Sequence, residues 1–175
     1  TTTFNFLAGF NGLEAGQGIL LLVGAALITF LTGNTWLSVV AICMIFSLGA
    51  FLIFNYYPAK IFPGDSLTYA VGSLVAVIAI LGNFERLAVF FFIPYILETF
   101  LKLRGKLVKE SYAKVNKLGE LELRENKIYS LTHLSIYLLG KSKIEVSEKK
   151  VVFLIWAFQA VVILMGLVIW GTLYR

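Results

Sequence analysis

Three asparagines, two carboxylates and a set of glycines stand in two short polar stretches that border apolar sequence. The first is Asn5-Phe-Leu-Ala-Gly-Phe-Asn-Gly-Leu-Glu-Ala-Gly-Gln17 and the second is Asn55-Tyr-Tyr-Pro-Ala-Lys-Ile-Phe-Pro-Gly-Asp65. Asn5, Asn11 and Glu14 carry hard oxygens, the ligand type that magnesium and phosphate chemistry uses. Gly9, Gly12 and Gly16 permit tight turns and a close approach of backbone to ligand. In the second stretch Asp65 adds a carboxylate at a membrane-edge turn, where an ionisable group is costly unless it has work to do. One Asp and one Asn from separate loops can hold Mg²⁺ while substrate phosphates and waters complete its octahedron. Phe62 offers a ring face on which a planar base can stack. A solvated interhelical turn is the alternative for the first stretch taken alone. The second stretch argues against it, because it completes the same chemistry.

The elements that must position these residues are membrane spans. Hydrophobic residues make up 59% of the 175 and charged residues only 14%, against about 45–50% and 25% in soluble domains. Mean hydropathy is +0.86. This composition is that of an integral membrane protein. The single cysteine, Cys43, lies in an apolar run and excludes a disulfide framework or a paired-cysteine metal site. No nucleic-acid partner is expected. The chain opens on Thr1-Thr-Thr-Phe4, already at a functional loop, and is expected to be the C-terminal part of a longer polypeptide.

Apolar runs predict spans at about 18–32, 36–54, 67–82, 86–101 and 151–174. The first is short for a core that takes about 20 helical residues, so it borrows part of the preceding loop. Pro94 is expected to kink the fourth span. Glu98, near that span's end, is expected to reach the interface or pair with a loop lysine. Gln159 in the last span suits an interhelical hydrogen bond. Loops 1–17, 55–66 and 102–150 remain. Thirteen of the fifteen Lys and Arg residues lie in the second and third of these, leaving Arg86 and Arg175 for the other side. The positive-inside rule places all three loops in the cytoplasm, where they can share one site. Within the long loop, 113–123 reads as a short hairpin around Gly119, and 130–140 as an amphipathic helix at the interface. Its basic excess can meet anionic membrane lipid.

The two motifs together resemble the polyprenyl-phosphate N-acetylhexosamine-1-phosphate transferases. Asn11-Gly-Leu-Glu14 is similar to the archaeal and eukaryotic branch, which loads N-acetylglucosamine 1-phosphate onto dolichyl phosphate. The resemblance covers essentially the whole chain, as the C-terminal half of a family with ten transmembrane helices. It implies an all-α polytopic fold, a single membrane domain over 1–175 with five of those helices, and an active site facing the cytoplasm. The membrane implied is an archaeal plasma membrane or the endoplasmic reticulum. The implied reaction moves N-acetylglucosamine 1-phosphate from UDP-GlcNAc to a dolichyl or polyprenyl phosphate and releases UMP, opening lipid-linked glycan assembly. Carried over by residue, Asn5 and Asp65 match the ligands of Mg²⁺, or of Mn²⁺ in its place. Gly9 and Asn11 match uracil contacts, and Phe62 the residue stacked on that ring. Glu14 and His133 join the substrate-binding set. A homodimer is also implied.

Three departures accompany the resemblance. The family's upstream paired aspartates are absent from this chain. Lys109-Glu-Ser-Tyr112 stands where human-type enzymes carry Arg-His-Arg. His133 matches the first histidine of a bacterial His-x-His-His cluster whose other members are Ser135 and Ile136 here. The alternatives are a family member using another UDP-hexosamine, and a non-catalytic transporter half. Five spans without the other five are expected to leave Gly24, Gly49 and Gln159 facing lipid.

Overall fold

Lipid offers no partner for backbone N–H and C=O groups, so apolar runs of this length cross it as helices or closed barrels. The helical solution is the one found. The computed structural model describes residues 2–106, 113–116, 120–123, 127–142 and 145–173. In chain order these form α1 (Thr2–Phe6), α2 (Leu13–Leu31), α3 (Thr35–Asn55), α4 (Gly64–Leu81), α5 (Glu85–Phe91) and α6 (Ile93–Arg104). A hairpin of β1 (Lys114–Val115) and β2 (Leu121–Glu122), then α7 (Leu131–Lys141) and α8 (Glu148–Leu173), complete the fold. Among the described residues α2, α3, α4 and α8 are long and apolar enough to cross a membrane. The protein is an all-α integral membrane protein.

Helix α2 is the centre of the helical bundle. It begins at Leu13, well inside the expected first loop, because Gly12 at φ 81° turns the chain into it. Leu21, Leu22 and Ile28 are fully buried, and α3, α4 and α8 all lie against it. Ser38 Oγ of α3 donates to the Ala26 carbonyl of α2 at 3.0 Å. Without a hydrophobic drive between helices in lipid, such bonds and close small-residue contacts supply the association. Gly24 and Gln159, expected to face lipid, are instead used in this way. A Cβ on Gly24 would stand 2.9 Å from the Phe91 ring, and Gln159 is 0% exposed. Gly49 has open space around it.

The expected fourth span is not one helix. It divides at Phe92 into α5 and α6, of 7 and 12 residues, so four helices rather than five are long enough to cross alone. Pro94 is the cause. It has no N–H for the Phe90 carbonyl, and its ring crowds that position. Backbone pairing still runs through the break, with Phe92 N–H donating to the Ala88 carbonyl at 3.1 Å and Ile96 N–H to the Phe92 carbonyl at 2.9 Å. Gln159 of α8 donates Nε2–H to the Phe91 carbonyl at 2.9 Å, a polar bond between helices at the site of the kink.

The long loop has its own order. β1 and β2 pair antiparallel with Lys114 opposite Glu122 and Val115 opposite Leu121. Leu121 N–H also donates to the Val146 carbonyl at 2.8 Å, tying the hairpin to the approach of α8. Helix α7 buries Leu131, His133 and Ile136 against the bundle and exposes Tyr137 and Leu138.

Candidate functional site

Helix α1 is too short to be stable by itself, so side chains must hold it. Phe4 and Leu7 are buried, and Phe4 stacks on Tyr95 of α6 with ring centroids 5.1 Å apart. Lys102, at the end of α6, donates to the Phe6 carbonyl at 2.5 Å and sits 5.5 Å from the centre of the Phe6 ring. These contacts fix the residue between them. Asn5 Nδ2–H donates to Asp65 Oδ1 at 3.1 Å across 60 residues of sequence. Asp65 stands in the first turn of α4, where the helix dipole favours a carboxylate. Thr68, one turn on and buried, donates Oγ–H to Asn5 Oδ1, also at 3.1 Å. The two residues singled out as magnesium ligands therefore share one edge, with Asp65 exposed and Asn5 half-buried.

The turn that follows is built in the opposite manner. Gly9 and Gly12 have φ of 112° and 81°, so this backbone cannot pair as helix or strand and its N–H groups need other acceptors. Gly9 N–H donates to Glu14 Oε1 at 2.9 Å, Asn11 N–H to Glu148 Oε1 at 2.6 Å, and Gly12 N–H to Asn55 Oδ1 at 3.1 Å. Glu14 is only 5% exposed, so its carboxylate braces this turn from inside.

Asn55 links the two motifs. Besides accepting from Gly12, it donates Nδ2–H to the Ile61 carbonyl at 2.8 Å, and it is fully buried. Phe62, the next residue, is 73% exposed. An apolar ring held so far into solvent by a braced neighbour is available for stacking. On the other side of the same loop, Lys149 Nζ lies 5.9 and 5.4 Å from the centres of the Tyr56 and Tyr57 rings.

The long loop contributes buried side chains. His133 is buried in the first turn of α7, 1% exposed, and its N–H donates to the N-cap Ser130 Oγ. Glu98 meets the second of its two expectations, pairing with Lys102 at the start of the expected long loop. It is 0% exposed, lies 3.8 Å from Lys102 Nζ, and accepts the Leu131 N–H at 2.6 Å. A buried carboxylate thus holds the start of α7, one of the N–H groups a helix leaves unmatched, and its lysine partner holds the end of α1. Lys109 to Tyr112 lie outside the described residues.

Asn55, Thr68, Lys102, Glu148 and Lys149 bear on the site without having been singled out for it. Asn55 opens the second motif, and that was the one available signal. Glu148 and Lys149 are hidden in a charged run that reads as solvated loop. Among the described residues no three His, Cys, Asp or Glu side chains gather as a metal cage. The chain's own offer is one exposed carboxylate and one amide. That donor set fits a hard cation which keeps waters and phosphate oxygens, the habit of Mg²⁺.

Comparison with known proteins bears on both motifs. Residues 1–83, which contain them, match the family described as glycosyl transferase family 4. A Saccharolobus solfataricus protein, provisionally named a UDP-N-acetylglucosamine–dolichyl-phosphate N-acetylglucosaminephosphotransferase, is 40% identical over 98% of this chain and 52% of its own length. The Sulfolobus acidocaldarius protein with the same provisional name is 35% identical over 94% of this chain and 49% of its own length. A phospho-N-acetylmuramoyl-pentapeptide-transferase of Staphylococcus carnosus is 35% identical over 54% of this chain and 30% of its own length. The chain spans about half the length of the two archaeal relatives it matches.

Proposed function

We propose, from the match of residues 1–83 to glycosyl transferase family 4, that the protein is a member of that family and transfers N-acetylglucosamine 1-phosphate from UDP-GlcNAc to a dolichyl or polyprenyl phosphate. The observation that carries the reading is the meeting of Asn5 and Asp65 at 3.1 Å, at an edge beside an exposed aromatic ring. The names of the archaeal relatives support the choice of sugar and lipid. An oxygen of the lipid phosphate attacks the sugar-bearing phosphorus. The bond from that phosphorus to the oxygen bridging it to UMP breaks, and UMP leaves. No side chain need act as nucleophile, so the work is positioning and charge neutralisation.

Asn5 and Asp65 would hold Mg²⁺, which when bound supplies positive charge against the diphosphate. Phe62 presents its ring to the uracil, and the braced turn at Gly9 and Asn11 sets the base against it. Thr68 holds the Asn5 amide oxygen, and Lys102 holds the adjacent Phe6 carbonyl. The excess of Lys and Arg in loops 55–66 and 102–150 supports a cytoplasmic site. The test is UMP release by the protein at its natural length, with UDP-GlcNAc and UDP-GalNAc compared at fixed lipid phosphate and Mg²⁺. Turnover of UDP-GlcNAc alone is expected. Preference for another UDP-hexosamine moves the protein to a different branch of the family, and no UMP from any donor overturns the reading.

A further inference from the structure

We propose that Glu148 is a positioning residue for the donor nucleotide, acting through the backbone of Asn11. This rests on the reading of the Gly9–Asn11 turn as the place where the base is seated. The structural basis is a set of contacts that α8 makes along one side of the site. Its first residue, Glu148, accepts the Asn11 N–H at 2.6 Å over a sequence separation of 137. Its second, Lys149, lies over the Tyr56 and Tyr57 rings at 5.9 and 5.4 Å. Adjacent residues of one helix therefore touch both motif loops.

The same helix fixes the root of the first loop. Trp156 donates its indole N–H to the Leu13 carbonyl at 3.3 Å, and Gln17 donates to the Ile155 carbonyl at 3.3 Å. Gly16 makes this approach possible, since a Cβ there would lie 2.1 Å from the Trp156 ring. The base of α2 and the first turns of α8 are thus one packed unit, and Glu148 extends that unit to the turn itself. Of the acceptors that hold this turn, Glu14 comes from the helix that the turn begins, and Asn55 from the end of α3. Glu148 comes from the point where the long loop re-enters the helical bundle. The seating of that loop and the shape of the nucleotide turn are consequently set together. The choice of a carboxylate is physical. Glu148 gives a charge-assisted bond, stronger than an amide acceptor gives, and it stands at a helix N-terminus where negative charge is favoured.

The experiment compares Glu148→Ala and Glu148→Gln with wild type at natural length, in lipid. It reads kcat, the KM for UDP-GlcNAc, the KM for the lipid phosphate, and hydrogen exchange of the amides at 9–13. Glu148→Ala is expected to raise the donor KM about tenfold, as loss of a charged hydrogen bond implies, with kcat and the lipid KM changed less than about twofold. Exchange at 9–13 should quicken. Glu148→Gln, which keeps an acceptor oxygen, should recover most of both effects. A general loss of fold would instead lower kcat and quicken exchange across α2 and α8 alike, and that result overturns the proposal. So does unchanged exchange at 9–13, or quickened exchange with an unchanged donor KM. A wild-type protein that binds no UDP-sugar overturns the functional reading and this proposal with it. Wild type and Glu148→Ala binding UDP-GlcNAc equally overturn this proposal alone.

Discussion

The Asn5–Asp65 edge and the Gly9–Gly12 turn both draw on the first motif and use polar side chains in contrary ways. At the edge, the Asn5 amide N–H donates to the Asp65 carboxylate and the amide oxygen accepts from Thr68, while the carboxylate itself stands exposed. In the turn, oxygens from Glu14, Asn55 and Glu148 are spent on the backbone, one to each of three N–H groups. The edge leaves a carboxylate open to solvent, and the turn directs its acceptors inward onto its own backbone. The two motifs therefore hold two kinds of polar residue, one whose side chain stands exposed and one whose side chain holds backbone in place. Mutation should separate them, because the first kind governs activity with little effect on stability and the second kind affects both.

The largest effect is expected at the edge. Asp65→Asn removes a charge from an exposed side chain without changing its volume. UMP release should fall on the order of a hundredfold or more, since several kcal/mol of charge stabilisation is at stake. The thermal unfolding midpoint should stay within a degree or two, about the scale of a surface change. Asn5→Ala should lose a similar amount, and the double variant little more than either. Near-normal turnover by Asp65→Asn at ordinary Mg²⁺ would dissolve the contrast between the two regions.

Glu14→Ala tests the turn. It leaves the Gly9 N–H without its acceptor, at a cost of about 1–3 kcal/mol, and should lower the unfolding midpoint while weakening donor binding. A variant that loses activity with unchanged stability would assign Glu14 to the ligand instead. Phe62→Ala should weaken donor affinity by about 1–3 kcal/mol, with stability and saturated turnover intact because the ring is exposed. Calorimetry with UDP-GlcNAc decides it, and equal affinity removes Phe62 from the donor site. The smallest effect belongs to Gln159→Leu, far along α8 from both regions. Loss of its bond to the Phe91 carbonyl should cost about 0.6 kcal/mol of stability with donor KM unchanged. A shifted donor KM would show that the helical bundle and the turn are not independent.

Much of this arrangement is legible in the sequence, and the rest is hidden for physical reasons. The apolar runs reveal α2, α3, α4 and α8, because length and hydropathy are local properties. The borrowed start of α2 follows from the thickness of a bilayer, though the residue that begins it, Leu13, is decided by Gly12. Helix α1 is invisible, since five residues show no period and its order comes from Phe4 on Tyr95 and Lys102 on Phe6. Pro94 foretells a kink. That the kink separates two helices depends on neighbours no local window contains. At the site, Asn5 and Asp65 stand out by chemical type. Glu14 has the same hard oxygens and a different orientation, and residue type says nothing of orientation. Asn55 and Glu148 act by holding backbone, a role that leaves no spacing pattern to read.

The bond from Gln159 to the Phe91 carbonyl also bears on how the protein is made. Ribosomes deliver α5 and α6 to the membrane before Gln159 has been synthesised. During that interval the kinked segment lacks the donor that the finished fold supplies, and an unmatched carbonyl in hydrocarbon is costly. A bond worth about 0.6 kcal/mol leaves insertion possible, and it favours α8 at the kink once that helix is made. The kink thus receives its side-chain donor only from the last helix, late in synthesis, and until then it is held by its own backbone bonds alone.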